Sequence, residues 1–273
     1  MAKERKKAGK QDVMRAKAGK SAKAAKVGHD SSPGAGLDGP GAFGPDDRPK
    51  VAVTVDVVVL ALNDGALSVL LVERGREPQR GSWALPGTVV DGREPLVAAA
   101  ARAVVGRTGV TVAPERLEQL STFADPDRDP RTRVVTVGLV AVVERATPPA
   151  GGAVASGRWW PIDKLLGKKS LQLAFDHRAI LEAGVEQVAE DLEWSDLAVF
   201  LVEEPFTLGD LRRAYEAVWG TPLEPANFRR KVLATPGFVK ATGRRRAVTT
   251  GRPAELYLRG GGGRLQPPLI RVD

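Results

Sequence analysis

The chain contains the stretch WALPGTVVDGREPLVAAAARAVVGRTGV, from Trp83 to Val110, which is the strongest guide to its architecture. Its alanine-rich second half, Pro95 to Arg107, predicts a helix with proline in the first turn, where a missing amide hydrogen is tolerated. Within that helix, positions 103, 106 and 107 stand at i, i+3 and i+4, so their side chains share one face. The chain has alanine, glycine and arginine at these positions.

This stretch resembles the Nudix box, in which a glycine, five residues, a glutamate and seven residues precede Arg-Glu-aliphatic-x-Glu-Glu-x-Gly-aliphatic. When the two are aligned on Arg102 and Gly109, Glu94 falls on the first glutamate of the box. Gly87 stands one residue before the position of the box glycine, which holds Thr88. The three later glutamates are replaced by Ala103, Gly106 and Arg107.

These three replacements remove the groups that the chemistry of the box requires. Carboxylates on one helix face hold hard divalent cations through oxygen ligands, and the cation polarises a phosphoryl group. Alanine and glycine offer no such ligand, and the guanidinium of Arg107 repels a metal ion. The resemblance therefore implies a Nudix fold, an α/β/α sandwich, that has no catalytic residue, no metal site and no cofactor.

The composition is typical of a protein of the reducing cytoplasm. The chain has 273 residues, enough for two domains, and it has no cysteine, which excludes disulfides and thiolate metal sites. No apolar run approaches the roughly 20 residues of a membrane-spanning helix. The basic N-terminus is not followed by the apolar segment of a secretory signal. We therefore expect a cytoplasmic protein that makes no contact with a membrane.

The net charge of +8 is unevenly distributed along the chain. Residues 1–27 carry ten lysines and arginines against two acids, and residues 206–273 carry thirteen against five. The middle of the chain, residues 28–205, carries eighteen against twenty-six and is acidic. Two basic ends around an acidic middle indicate that the ends share a polyanionic partner.

Composition divides the chain into four parts. Residues 1–48 hold few bulky apolar side chains, so we predict a disordered basic tail that either binds DNA phosphates without sequence preference or only aids solubility. Two folded domains are expected to follow, at residues 49–204 and 205–260. Residues 261–273, which are rich in glycine and contain paired prolines, are predicted to be a flexible tail.

The first folded domain alternates strands with helices. Its first two aliphatic runs, Val51–Leu62 and Leu67–Glu73, are joined across Asn63-Asp64-Gly65, a strong signal for a tight hairpin turn. Two more strands are predicted at Arg133–Val143 and Arg158–Ile162, and Leu173–Glu190 has helical spacing. This alternation favours an α/β architecture, in agreement with the Nudix resemblance.

The second folded domain has the pattern of a winged helix-turn-helix. Thr207-Leu208-Gly209-Asp210 has the form of a capping box with Asp in place of Glu, and helical spacing continues to Gly220. A second helix is predicted over Glu224–Ala234. Two strands, Phe238–Ala241 and Glu255–Leu258, flank a basic loop.

The second helix of this domain has two distinct faces. Phe228 and Val232 lie at i and i+4 and are expected to face the core. The opposite face carries an amide and two cations, which suit base edges, and each good bidentate pair is worth roughly 1–3 kcal/mol of discrimination. The basic loop is predicted to form a wing that reaches the DNA backbone or the minor groove. The predicted DNA contacts are therefore Asn227, Arg229, Arg230, Lys231, Arg244, Arg245 and Arg246.

Three segments of the second domain make the resemblance more specific: Phe206-Thr207-Leu208, Asn227-Phe228-Arg229-Arg230-Lys231 and Arg252-Pro253-Ala254-Glu255-Leu256-Tyr257. They resemble the C-terminal domain of the Nudix-related transcriptional regulators, the NrtR family, and the similarity covers about Val51 to Arg259. This implies a homodimer that binds a palindromic operator in double-stranded DNA and represses genes of NAD biosynthesis or salvage. The first domain would dimerise and sense ADP-ribose or a related nucleotide, with the direction of the effect on DNA binding left open.

Four residues of the first domain are predicted to bind this ligand. Arg74 follows a strand, and Arg128 and Arg131 lie in a loop before the next long strand; both elements resemble the substrate-binding parts of Nudix proteins that handle ADP-ribose. Guanidinium groups pair bidentately with diphosphate oxygens and stay charged. His177 belongs to a segment that also resembles the family, and a structural role is its alternative.

Two other functions remain open at this point. One is an active Nudix pyrophosphatase that carries a nucleic-acid-binding domain, with Glu94 and the loop acids Asp125, Asp127 and Asp129 as replacement metal ligands. The other is an RNA-binding or scaffold protein in which the Nudix-like domain only dimerises.

Overall fold

The structure, a computed structural model, describes residues 50–144, 157–167, 170–247, 252–262, 264–265 and 268–271. The predicted tail at residues 1–48 lies outside this range. The strands are β1 (Ala52–Asn63), β2 (Ala66–Glu73), β3 (Trp83–Ala84), β4 (Gly87–Val89), β5 (Glu118–Phe123), β6 (Val134–Val142), β7 (Gly157–Pro161), β8 (Val239–Arg246) and β9 (Ala254–Arg259). The helices are α1 (Leu96–Thr108), α2 (Ile162–Leu166), α3 (His177–Trp194), α4 (Leu208–Trp219) and α5 (Pro225–Ala234), with short 3₁₀ turns at Pro114–Arg116 and Leu197–Phe200. None of the helices among these residues is long and apolar enough to cross a membrane.

The predicted hairpin between β1 and β2 is confirmed. Asn63 pairs with Ala66, which leaves Asp64 and Gly65 as a two-residue loop. Both loop residues have a positive φ, 49° for Asp64 and 81° for Gly65. This conformation matches the right-handed twist of the two strands and suits aspartate and glycine, which explains the strength of the sequence signal.

A mixed sheet forms the centre of the Nudix-like domain. Its main path runs β3-β2-β1-β6-β5, while β4 pairs with β1 and β7 pairs with β2. Strands β1 and β6 are parallel over nine residue pairs, and every other pairing between two of these strands is antiparallel. The long central strands place the start of β1 and the start of β6 side by side at one end of the sheet.

Helices cover both faces of this sheet. Odd-numbered residues of β1, such as Val55 and Val57, pack with the alanine-rich helix α1. Even-numbered residues, such as Val58 and Leu60, pack with α3 on the other face. Because successive side chains of a strand point to opposite faces, this one aliphatic run fills two cores, and the predicted α/β/α sandwich is confirmed.

The second part of the chain is a winged helix-turn-helix, as predicted. The capping box at the start of α4 is present in full, since Asp210 N–H donates to Thr207 Oγ1 and Thr207 N–H donates to the Asp210 carboxylate. Helix α5 begins after Glu224, whose carboxylate accepts from two backbone amides of the first turn. Strands β8 and β9 pair as a hairpin, and Phe206 exchanges two backbone hydrogen bonds with Tyr257 of that hairpin.

The Nudix-like and winged-helix domains share one hydrophobic core. The apolar cluster that includes α3 continues into α4 and α5 through side chains such as Tyr215 and Phe228. The indole N–H of Trp219 in α4 donates to the carbonyl of Ala189 in α3 at 2.9 Å. Helix α3 therefore lies between the interior of the sandwich and the winged helix.

The prediction of a flexible C-terminal tail is wrong for the described residues of this segment. Leu265 and Leu269 are buried in the shared core. Their backbone amides donate to the carbonyls of Trp194 and Glu193, at the end of α3. The last carbonyls of a helix have no partner within the helix, and the tail supplies them with donors. The glycine and proline content of this segment predicts a flexible tail, but the burial of its two leucines determines how the segment packs.

Candidate functional site

A cavity of about 340 Å³ lies at the end of the sheet where β1 and β6 begin. This volume falls in the range of small-molecule sites, roughly 300–1,000 Å³. All four residues that we predicted to bind a ligand line it, although they come from three separate segments of the chain. The walls also include residues that were not predicted as ligand contacts: Asp56, Arg76, Gly87, Arg107 and Phe175.

Arg74 is held rigidly at one wall of the cavity. Its Nε and Nη2 donate to the carbonyl of Pro78 at 3.1 and 2.7 Å, and its guanidinium carbon lies 4.5 Å from the centre of the Phe175 ring. Burial and the neighbouring charge of Arg131 lower the pKa of Arg74, with Asp129 opposing. The other cations of the cavity wall therefore oppose the positive charge of Arg74, while the contacts with the Pro78 carbonyl and the Phe175 ring fix the orientation of its side chain.

Arg128 is buried and fully engaged with carboxylates. Its Nε and Nη2 each donate to Asp176 at 2.8 Å, and Nη2 lies 3.6 Å from Asp56. Asp176 immediately precedes α3, so its bidentate ion pair with Arg128 joins the loop before β6 to the start of that helix. Arg128 thus shapes the cavity by connecting two of its walls.

Arg131 is more exposed than Arg128, with 54% of its side chain accessible. It forms a two-pronged pair with Asp129, at 2.9 Å from Nε and 2.6 Å from Nη2. This pairing lowers the pKa of Asp129 and raises the pKa of Arg131. The guanidinium also lies 6.0 Å from the centre of the Phe175 ring, and Arg131 lines the same cavity as Arg74.

His177 is buried in the cavity wall and makes structural contacts there. Its Nδ1 accepts a hydrogen bond from the backbone N–H of Leu85 at 2.9 Å, and its Nε2 lies 3.7 Å from Asp56 Oδ1. Burial lowers the pKa of His177 despite the nearby carboxylates. The neutral ring therefore ties the turn before β4 to the first residue of α3.

Asp56 is an acidic residue that the sequence analysis missed. It stands within the aliphatic strand β1, where Thr136 Oγ1 donates to its Oδ2 at 2.7 Å. A Cβ atom at Gly87 would come within 2.1 Å of Asp56 Oδ1, so only glycine fits opposite this carboxylate. A lone aspartate in a run of valines was a visible signal, because charged residues are seldom buried without partners.

The face of α1 that carries the metal ligands in an active Nudix box does not fit a metal ion here. Ala103 is buried, Gly106 has no side chain, and Arg107 contributes a cation to the cavity wall. Glu94 pairs with Arg102 at 2.6 Å and lies on a separate surface groove. In the described parts of the chain, no group of three or more His, Asp or Glu residues has the arrangement of a metal site.

The acids that we considered as replacement ligands are also dispersed. Asp125 accepts a hydrogen bond from the backbone N–H of Asp127 within their own exposed loop, and Asp129 is paired with Arg131. Glu94 is held by Arg102 in the separate groove, and this hydrogen bond lowers the pKa of its carboxyl. The structure does not bring these carboxylates together.

Helix α5 presents the predicted polar face to solvent. Phe228 and Val232 are buried, as expected from their spacing. Asn227, Arg229 and Arg230 are exposed, and Arg230 Nη2 donates to Asn227 Oδ1 at 2.7 Å. The amide and the guanidinium are thus adjacent on the face that points away from the core.

Two of the seven predicted DNA contacts are engaged by residues outside α5 and the β8–β9 hairpin. Lys231 Nζ donates to the carbonyl of Pro268, in the C-terminal segment. Arg246 donates to the carboxylate of Asp210 at 3.0 Å and to the carbonyl of Pro205 at 2.9 Å. All three partners lie far away in the sequence, which is why none of these contacts was predicted.

The basic wing is also placed differently from the prediction. Gly243 to Arg246 belong to strand β8 rather than to the loop, and the strand pairing shifts register between Ala241 and Arg245. Gly243 has a φ of 71° within this irregular stretch. Arg244 and Arg245 are exposed on the strand. Part of the connecting tip, residues 248–251, lies outside the described residues.

Family models match both halves of this architecture. A NUDIX domain matches residues 51–183, and the NrtR DNA-binding winged helix domain matches residues 198–258. The chain is 32% identical over 214 residues to the "ADPR responsive transcriptional repressor NtrR" of Acinetobacter baylyi, a match that covers 77% of this chain and 83% of the relative. The chain belongs to the NrtR family.

Two further matches place this NrtR-family chain among solved and characterised proteins. The structure of Shewanella oneidensis NrtR complexed with a 27mer DNA is 32% identical, covers 80% of this chain and 99% of that one, and superimposes with a TM-score of 0.70. An ADP-ribose pyrophosphatase of Methanocaldococcus jannaschii is 30% identical over 131 residues, which is 48% of this chain and 71% of the relative. The likeness to NrtR thus spans both domains, while the likeness to the enzyme spans about half of the chain.

Proposed function

We propose that this chain is a DNA-binding transcriptional repressor whose Nudix-like cavity senses ADP-ribose without hydrolysing it. The observation that carries the proposal is the cavity itself, which is lined by five arginines, one of them at a position where the Nudix box places a carboxylate, in the same folded unit as a winged helix. The Acinetobacter baylyi relative, described as an ADPR-responsive transcriptional repressor, supports both parts of this function.

The winged helix supplies the DNA-binding surface of the proposal. Asn227 and Arg230 stand side by side on the exposed face of α5, where an amide suits adenine and a guanidinium suits guanine. Arg229, Arg244 and Arg245 are exposed cations that suit phosphates. We propose that two copies of the chain form a homodimer on a palindromic operator, with half-sites about one helical turn, roughly 34–36 Å, apart.

The cavity suits a ligand that carries a diphosphate. Arg74 and Arg131 both lie beside the Phe175 ring, so two guanidinium groups face the same space. Guanidinium groups bind diphosphate oxygens through paired hydrogen bonds, and the aromatic ring offers a flat apolar surface to a sugar or a base. Arg128 and His177 contribute by positioning the walls, since their polar atoms already have partners in the protein.

Helix α3 gives the proposal a physical route from ligand to DNA. Its first turn and the preceding Asp176 form part of the cavity region, and its last turns contact the winged helix through Ala189 and Trp219. A ligand that binds one position of this helix better than another shifts the equilibrium by that difference in affinity, and about 1–3 kcal/mol is a typical coupling. We propose that this shift changes the spacing of the two recognition helices in the dimer.

The DNA partner can be identified directly. The protein is mixed with a random duplex library, recovered with its bound DNA, and the DNA is sequenced. We expect an enriched palindrome, and we expect single-stranded DNA and RNA to compete weakly. Strong competition by single-stranded RNA, or the absence of an enriched sequence, would favour the RNA-binding or scaffold alternative. The protein is expected to act in the cytoplasm. If the enriched operator lies near genes of NAD biosynthesis or salvage, that position would define the regulated pathway.

The likeness to an ADP-ribose pyrophosphatase makes hydrolysis the second candidate function. The assay is release of phosphate from ADP-ribose, with magnesium or manganese present, after treatment with alkaline phosphatase. We expect background release, unchanged by Glu94→Gln, because Glu94 is paired with Arg102 outside the cavity. Turnover that disappears in Glu94→Gln would establish the enzyme instead.

A further inference from the structure

We propose that Arg107 takes the electrostatic place of the metal ion, so that this chain binds the diphosphate of its ligand without a divalent cation. The inference rests on the proposed function, because it assumes that the cavity is the ligand site. Arg107 stands at a position where the Nudix box has a glutamate. We assign this arginine a role in ligand binding, in addition to the loss of the metal ligand.

Arg107 is placed correctly for this function. It lies in the last turn of α1, on the helix that carries the box, and its side chain lines the cavity together with Arg74 and Arg131. The positive charge of Arg107 is also the last of the causes that lower the pKa of Arg74, after burial and the charges of Arg131 and Arg76. The guanidinium is therefore close enough to act on the same ligand charge.

The other charges of the cavity leave Arg107 available. Arg128 is neutralised by Asp176 and Arg131 by Asp129. Glu73 and Asp56 also line the cavity, but among the described residues no carboxylate lies within ion-pair distance of Arg107, Arg74 or Arg76. Cations that lack an acidic partner and face one cavity create a local excess of positive charge, and an anionic ligand would relieve their mutual repulsion.

One substitution then explains two properties of the site. In a box with carboxylates, the diphosphate and the helix are both negative, and a divalent cation must lie between them. With arginine at position 107, the helix itself offers the positive charge and pairs with the phosphate oxygens directly. The same change removes a metal ligand, so binding persists while the metal-dependent step is lost.

The first experiment uses the unaltered full-length chain. ADP-ribose is titrated by isothermal calorimetry, once in EDTA and once in magnesium chloride. We expect the two dissociation constants to agree within about twofold, which is a small difference on the free-energy scale of binding. Binding that requires magnesium would overturn the inference while leaving the proposed function intact. Absence of binding in both buffers would contradict the proposed function itself.

The second experiment tests Arg107 by substitution. Arg107→Gln is expected to weaken ADP-ribose binding on the order of tenfold to a hundredfold, as for loss of a charge-assisted hydrogen bond, and Arg107→Lys by less. Arg93→Ala, which removes an exposed arginine outside the cavity, serves as the matched control and should bind like the original chain. Thermal unfolding of each variant verifies the fold. Equal affinity of Arg107→Gln and the original chain would overturn the inference.

Discussion

The arginines of the cavity and the arginines of the winged helix carry the same charge in opposite settings. Arg128 has only 5% of its side chain exposed and is clamped by carboxylates, and Arg74 is fixed by a carbonyl and an aromatic ring. Arg230 and Arg244 are exposed at the protein surface. A small ligand is recognised by a few oriented groups, whereas DNA presents a long row of phosphates that mobile surface cations can follow.

This difference separates the two regions energetically. A cation of the cavity wall that is paired with carboxylates, as Arg128 is, contributes to folding as well as to the shape of the ligand site, because its removal leaves those carboxylates without a partner. A cation on α5 or β8 contributes mainly to DNA binding, because water already solvates it in the free protein. Substitutions in the two regions should therefore differ in their effects on stability as much as in their effects on function.

Arg128→Ala should have the largest effect on stability. Asp176 and Asp56 would both lose a buried cationic partner, so we expect the free energy of unfolding to fall by about 3–5 kcal/mol. The measurement is urea denaturation followed by circular dichroism. Arg244→Ala is the counterpart from the winged helix and should change the stability by less than about 0.5 kcal/mol. Equal losses in the two variants would remove the distinction between the regions.

Leu269→Ala should have the next largest effect. Leu269 is 4% exposed in the core that the two domains share, and we expect a loss of about 2–3 kcal/mol, at the lower end for a buried leucine because the tail can relax into the space. Ile270→Ala provides the control, since the neighbouring isoleucine is 64% exposed. Similar unfolding curves for the two variants would show that the C-terminal segment does not pack as described.

Arg230→Ala should weaken DNA binding and leave the fold unchanged. We expect a loss of about 1–3 kcal/mol in operator affinity and a relaxed preference at one base pair of each half-site. Gel-shift titration with the selected operator and with single-base variants measures both quantities. Arg93→Ala, in the Nudix-like domain, should bind DNA as the original chain does. If Arg230→Ala lost affinity equally for every sequence, Arg230 would be a phosphate contact.

His177 should make stability depend on pH. Burial lowers its pKa, so the unfolded chain binds a proton more readily than the folded chain, and stability falls as the pH drops below the usual histidine value of about 6.5. His177→Gln should flatten this dependence between about pH 7.5 and about pH 5.5. Urea unfolding at the two pH values measures the difference. An unchanged pH slope in the variant would indicate that other groups cause it.

Local signals predicted the elements of the fold. The hairpin at Asp64 and Gly65, the helix that follows Pro95 and the capping box at Thr207 each depend on residues that are neighbours in the sequence. The spacing of Phe228 and Val232 likewise predicted which face of α5 is buried. Such patterns are visible in a single sequence because the same few residues form and stabilise each element.

Contacts between segments that are distant in the sequence could not be predicted from local patterns. The sequence predicts Arg246 as a DNA-contacting cation of the wing, but Asp210, which lies 36 residues earlier, pairs with it. Lys231 is engaged by the tail at Pro268, 37 residues later. Asp56 and Arg107 join the cavity because β1 and α1 meet at its edge. These contacts depend on tertiary packing, which residue spacing alone does not specify.

Energetic coupling between the cavity and the winged helix is tested most directly by fluorescence anisotropy of a labelled operator. The dissociation constant of the DNA complex is measured without ADP-ribose and with a concentration that calorimetry shows to be saturating. We expect a change of about fivefold or more, in either direction, as for a coupling of at least about 1 kcal/mol. An unchanged dissociation constant with ADP-ribose fully bound would contradict the account.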